Sequence, residues 1–154
     1  MEVIMGANSN MAVVEGLSRV LADSYTLYIK THGHHWNVEG PNFPALHAMF
    51  EEQYTELADA VDQIAERIRA LGAKAPAGYA AFGELTSIPE SGNDLSAEEM
   101  VADLLSAHEA VATSSKAALE AAEAAEDEVS IDLMVQRITI HDKTAWMLRS
   151  TLAK

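Results

Sequence analysis

From Ala45 to Leu71 the chain runs without a glycine or a proline, and the run ends at Gly72. Apolar residues Leu46, Phe50, Leu57, Val61, Ile64, Ile68 and Leu71 recur at helical spacing and gather on one face. The stretch reads as one helix from Phe43 to Leu71, with Asn42 as N-cap and Gly72 as the C-terminal stop. At 1.5 Å per residue it is a rod of roughly 43 Å. Off the centre of its apolar stripe it carries two pairs of metal donors, His47 with Glu51 and Asp62 with Glu66. Each pair is spaced i,i+4 and so shares a helix face.

His47 and Asp62 stand fifteen positions apart, roughly 22 Å along a helix axis. No single ion reaches both. Either the two pairs are unrelated sites, or a second copy of the chain supplies the other half of one. Ligands for a metal inside a bundle point with the core residues, and these do not. We therefore expect a site at a subunit interface, with His35 and His47 from one chain and Asp62 and Glu66 from its neighbour. Neutral imidazole with carboxylate suits iron, and zinc or manganese also.

The flanking segments complete a helical architecture. A first helix is expected from about Ser9 to Asn37, with Val14, Leu21, Tyr28 and His35 on one face and Leu17 beside them. His32 is assigned a hydrogen-bonded structural role and His34 a surface position. Gly40-Pro41-Asn42 is a short connection that forces an antiparallel hairpin and brings His35 near His47. Trp36 then lies next to the site. From Ala73 to Leu95 five Gly and Pro residues break the pattern, with room for a short helix over Tyr79 to Leu85. So long a connection needs a purpose, and crossing the full length of the bundle is one. Ser96-Ala97-Glu98-Glu99 is a capping box opening a third helix to about Glu123. A fourth runs from about Ile131 to Leu152, with Leu133, Ile138, Ile140, Trp146 and Leu148 as its apolar contacts. His108 is read as isolated and ordinary, and His141 as packing in preference to a secondary metal site.

Composition narrows the function classes. The chain has 154 residues, 49% hydrophobic, which suits one domain over 1–154. It has no cysteine, hence no disulfide framework and no thiolate site. No apolar run is long enough to cross a bilayer. The start lacks the basic and apolar regions of a signal peptide, so a cytoplasmic location is expected. A formal charge of −14 argues against a nucleic-acid footprint and fits surfaces that attract cations. The first basic residue is Arg19, and DNA binding is expected to be weak or absent at physiological salt.

Two stretches carry a specific resemblance. One is His35-Trp36, then Gly40, Leu46-His47 and Glu51. The other is Val61-Asp62-Gln63-Ile64-Ala65-Glu66-Arg67, closing on Leu71-Gly72. Both resemble the Dps family of mini-ferritins, and four-helix patterning extends the likeness over nearly the whole chain. The resemblance implies an all-α, ferritin-like four-helix bundle with a long crossover carrying a short extra helix. It implies a twelve-subunit shell with di-iron ferroxidase centres between two-fold-related subunits. His35, His47, Asp62 and Glu66 would be the catalytic ligands, and Glu51, where many members carry Asp, a further metal residue. Hydrogen peroxide would be the preferred oxidant of Fe²⁺, with Trp36 intercepting stray one-electron oxidants. Glu51 and Glu52 would seed ferric mineral on an acidic face that Glu56 and Asp59 continue. Glu126, Asp127, Glu128 and Asp132 read either as helix capping or as an acidic entry pore on a three-fold axis. The main alternative is a nucleoid-coating DNA binder, as some relatives are, though those use basic tails that this chain lacks. A purely structural assembly is a third reading. Larger ferritins use Glu-x-x-His pairs, and none occurs here.

Overall fold

The computed structural model describes the backbone of residues 2–154 and the side chains of residues 10–154. Its helices are α1 (Glu2–Asn37), α2 (Phe43–Ala70), α3 (Tyr79–Leu85), α4 (Ala97–Ala124) and α5 (Glu128–Leu152). No strand occurs among the described residues. The four long helices form the expected ferritin-like bundle, and α3 is the short extra helix.

Local chemistry sets the boundaries. Gly40, at φ 118°, turns the chain between α1 and α2. Asn42 occupies the N-cap position of α2 but makes no side-chain cap bond; Pro44, in the first turn, has no N–H to satisfy. At the other end Gly72, at φ 96°, makes a Schellman turn, its N–H bonding Arg69 O at 3.0 Å and that of Ala73 bonding Ile68 O at 3.3 Å. The capping box of α4 forms between Ser96 and Glu99, and the hydrogen bonds of Ser96 hold the Glu99 carboxyl below its usual pKa. Helix α1 starts at Glu2, before the expected Ser9. Helix α5 starts three residues before Ile131, because Asp127 caps it by accepting from Ser130 N–H at 3.1 Å.

His35 meets His47 where α1 ends and α2 begins, so these helices are antiparallel. Lys30 binds Asp103 with Nζ–Oδ2 3.0 Å, which sets the start of α4 beside the end of α1. Helix α4 is thus parallel to α2, and the connection from Leu71 to Ser96 runs back along the bundle. Leu148 packs with Leu104, and Met134 with Ala122, so α5 is antiparallel to α4. The crossover is fastened to α1. Buried Asp23 accepts from Thr86 Oγ1 and Ser87 N, both at 2.7 Å, and from Ser87 Oγ at 3.0 Å. Phe82 and Ile88 fill the space beneath. At Gly16 the helices approach so closely that a Cβ would lie 3.0 Å from Ala118 Cα.

Two apolar clusters fill the interior. One centres on Leu27, Phe50, Leu57 and Leu104, the other on Leu17, Val20, Ile64, Ile68 and Met134. Across the middle runs a band of buried polar side chains: Ser24, Gln53, His108, Ser115, Arg137 and His141. Three expectations are corrected here. His34 is buried, and its Nε2 bonds Asp103 Oδ2 at 2.8 Å. Burial would raise the Asp103 carboxyl, but hydrogen bonds from His34 and Lys30 outweigh it and hold the pKa below normal. His108 is not isolated: its Nδ1 lies 2.9 Å from Nδ1 of His141, and both rings are buried. The buried stripe of α5 is Ser130, Met134, Arg137, His141, Ala145 and Leu148. Leu148 is in it as expected, whereas Trp146 is 58% exposed.

Desolvation, with Arg137 nearby, pushes the His108 pKa from 6.5 to about 3. Desolvation first, then His108 and Arg137, lowers that of His141 well below the ordinary imidazole value. Both rings stay neutral in the fold while the unfolded chain takes up protons below about pH 6.5. Stability is therefore full above that pH and is lost as pH falls toward the folded-state values. The slope is on the order of 1.4 kcal/mol per pH unit for each histidine. Urea midpoints measured from pH 7 to 4.5 should fall in the natural protein and stay nearly level in a His108→Leu, His141→Leu double variant.

Candidate metal centre

The α1–α2 hairpin brings His35 and His47 together ring on ring. Their centroids are 3.8 Å apart with planes 14° from parallel. The Nδ1–H of His35 donates to His47 O at 2.7 Å, and the Nδ1–H of His47 donates to His35 O at 2.7 Å. This reciprocal pair fixes both tautomers. A neutral imidazole with its proton on Nδ1 has a lone pair on Nε2, so both rings present Nε2 as a metal donor. Backbone carbonyls holding the second nitrogen are the usual support of a ligating histidine. Glu51 adds a carboxylate on the same side, with Oε1 3.8 Å from His35 Nε2. His35 is buried, His47 half-buried and the Glu51 side chain 60% exposed. The donors thus line a recess that opens outward.

Asp62 and Glu66 lie elsewhere. Helix α2 is unbroken from Phe43 to Ala70, so the spacing of roughly 22 Å from His47 to Asp62 stands. Both carboxylates are exposed, and among the described residues neither makes a hydrogen bond or ion pair with a side chain. No set of three His, Asp or Glu able to hold an ion is found within the described residues. One copy holds His35, His47 and Glu51 at one place, and Asp62 and Glu66 at another.

Rings surround the histidine end. Trp36, 63% exposed, and Tyr54 flank His32 with centroids at 4.1 and 4.4 Å. His32 therefore packs among aromatic rings, in place of the hydrogen-bonded role expected for it. Tyr54 sits edge-on to His35 at 5.2 Å. Desolvation, then the charge of Glu51, raises its phenol pKa. Tyr54, one turn past Glu51, was not singled out from the sequence; its i+7 spacing from His47 was the available signal.

The acidic positions divide. Glu52 and Asp59 are exposed. Glu56 is drawn inward to Arg137, with Oε2–Nη1 2.5 Å, and so leaves the acidic face assigned to it. Asp127 accepts from Arg67 Nη2 at 2.7 Å and from Ser130 Oγ at 2.6 Å. Burial would raise its carboxyl, but Ser130 and Arg67 together hold it below normal. Asp127 caps α5, while Glu126, Glu128 and Asp132 are exposed.

A Ferritin-like domain model matches residues 14–154. The chain is 41% identical over 143 residues to "DNA protection during starvation protein 2" of Bacillus anthracis, covering 93% of this chain and 98% of that one. The Dps structure from Staphylococcus aureus superposes with a TM-score of 0.89 at 37% identity, covering 92% of this chain and 95% of that one. A Vibrio cholerae Dps, described as a member of a broad superfamily of ferritin-like diiron-carboxylate proteins, superposes at 0.91 with 29% identity, covering 95% and 92%. Fold and comparisons define a ferritin-like protein. Within that class the chain belongs to the Dps family of mini-ferritins.

Because Asp62 is exposed and unpartnered, Asp62→Asn should leave stability within about 0.5 kcal/mol of the natural protein. The same change should weaken binding of Co²⁺, used as a spectroscopic probe, at the histidine sites. Denaturation midpoints and Co²⁺ absorption titrations check the two halves separately.

Proposed function

We propose that this protein oxidises Fe²⁺ with hydrogen peroxide at di-metal sites shared between two copies of the chain and stores the ferric product in a shell. The observation that carries the proposal is the mutual locking of His35 and His47, which leaves two Nε2 lone pairs beside Glu51. Such a locked donor pair suits a borderline divalent ion such as Fe²⁺, and zinc could bind the same atoms. Asp62 and Glu66 of a second copy would complete the set by adding carboxylate ligands.

Exposed apolar side chains on α1 and α3 favour contact with a second copy. Ile29 and Trp36 of α1 and Tyr79 of α3 are 55%, 63% and 88% exposed. They border a groove of about 800 Å³ between α1 and the crossover. Large exposed apolar side chains, of which Trp36 adjoins the histidine end through His32, fit an isologous dimer contact.

In the reaction each of two Fe²⁺ ions gives one electron to one peroxide. The O–O bond breaks, and with two protons both oxygens leave as water. Taking both electrons together releases no hydroxyl radical, and Trp36 and Tyr54 stand ready for stray one-electron oxidants. Fe²⁺ entry is assigned to Glu126, Glu128 and Asp132, and mineral growth to Glu51 and Glu52. A dodecameric shell in the cytoplasm is part of this reading. The charge of −14 keeps DNA binding weak.

Complementation tests it. His47→Ala and Asp62→Ala variants should each lose peroxide-driven Fe²⁺ oxidation. Shells reassembled from an equal mixture should regain about a quarter of natural activity, since random pairing restores that share of sites. No recovery, with mixed shells verified by mass, would refute the shared site.

A further inference from the structure

The polar band at the middle of the bundle has no part in the iron site, yet its protons can be placed one by one. Glu56 on α2 holds Arg137 on α5, with Oε1–Nη2 2.9 Å. The same Arg137 Nη2 lies 3.0 Å from His141 Nε2. A guanidinium only donates, so His141 Nε2 accepts. A neutral His141 then carries its proton on Nδ1. That proton points at His108 Nδ1, 2.9 Å away on α4, so His108 accepts there and carries its own proton on Nε2. This Nε2–H is buried and has no partner. Buried donors are almost always bonded.

Helix α2 carries an unpartnered buried acceptor of its own. Gln53 lies one turn before Glu56 on the buried stripe of α2. Its Oε1 is also buried and unpartnered. Arg137 Nε–H, in the same state, is a further free donor.

We propose that the interior between α2, α4 and α5 binds one internal water, which accepts from His108 Nε2–H and donates to Gln53 Oε1. Arg137 Nε–H is the available third partner, and three bonds are typical of a buried water. The fixed tautomers exclude other guests. A metal ion needs a lone pair at His108 Nε2, where a proton sits. An anion would be buried without a counter-charge, because Glu56 already neutralises Arg137 and both imidazoles are uncharged. An apolar guest would leave the N–H unbonded. The site is a polar analogue of a packed core position: three helices are held in register through one small shared molecule. It stands independently of the iron reading.

Two measurements on the assembled protein test it. ¹⁵N-histidine NMR should find His108 protonated on Nε2 and His141 on Nδ1; the opposite tautomers, or a charged ring at pH 7, would overturn the proposal. A high-resolution crystal structure should show one isolated peak within hydrogen-bond distance of both His108 Nε2 and Gln53 Oε1. That peak should be lost in Gln53→Leu and kept in Gln53→Glu. Its absence from the natural protein, or its persistence in Gln53→Leu, would contradict the site. The tautomer reading needs no variant, so it decides the case even if Gln53→Leu does not fold.

Discussion

A helix cannot bring its own two ends together, and α2 carries metal donors near both. That rigidity governs the functional reading. The hairpin turn at Gly40 can deliver His35 to His47, because those residues lie at the meeting ends of α1 and α2. It can do nothing for Asp62 and Glu66, which are further along the same rod. The fold locks the two rings through each other's carbonyls and leaves the Asp62 and Glu66 carboxylates facing solvent. Preorganised donors at one end and unpartnered carboxylates at the other are what two copies in an isologous contact would need from each other. In the proposed shared site, oxidation of Fe²⁺ would be tied to the shell that receives the product.

The bundle's interior follows a different rule. A core built only of Leu, Ile and Val tolerates sliding of one helix against another more readily than one carrying directional bonds. Here Glu56, Arg137, His141 and His108 link α2, α5 and α4 through a single chain of hydrogen bonds. Asp23 does the same for the crossover, and Asp103 for the α1–α4 contact. Arg67 joins α2 to the cap of α5 through Asp127 and Ser130. Charged and polar groups are thus placed where elements distant in sequence must find one register. Their desolvation is costly when a partner is missing.

Much of this was legible in the sequence, and the failures have a common cause. Strong periodic signals worked: the long α2, the Ser96 capping box and the broken stretch from Ala73 to Leu95 all correspond to observed elements. The ligand spacing of His47, Glu51, Asp62 and Glu66 survives because it rests only on helix geometry. Where the buried stripe contains polar residues, the pattern misleads. In α5 the inward positions are Ser130, Arg137 and His141, so the apolar count pointed to Trp146, which faces out. His108 looked ordinary because nothing local reveals a partner on another helix. In α1 the phase set by Val14, Leu21 and Tyr28 was rotated slightly from the buried set Val13, Leu17, Val20 and Leu27. That small rotation was enough to send His34 to the surface instead of onto Asp103. For Asp127 the capping alternative holds, and Ser130 three residues later was the signal that could have decided it.

The most direct measurement of the central claim is a metal-soaked crystal structure with anomalous scattering collected at the iron edge. Density coordinated by Nε2 of His35 and His47 from one chain together with Asp62 and Glu66 of its neighbour is expected. Separate ions bound at each end of a single α2, with no ligand crossing between chains, would contradict it.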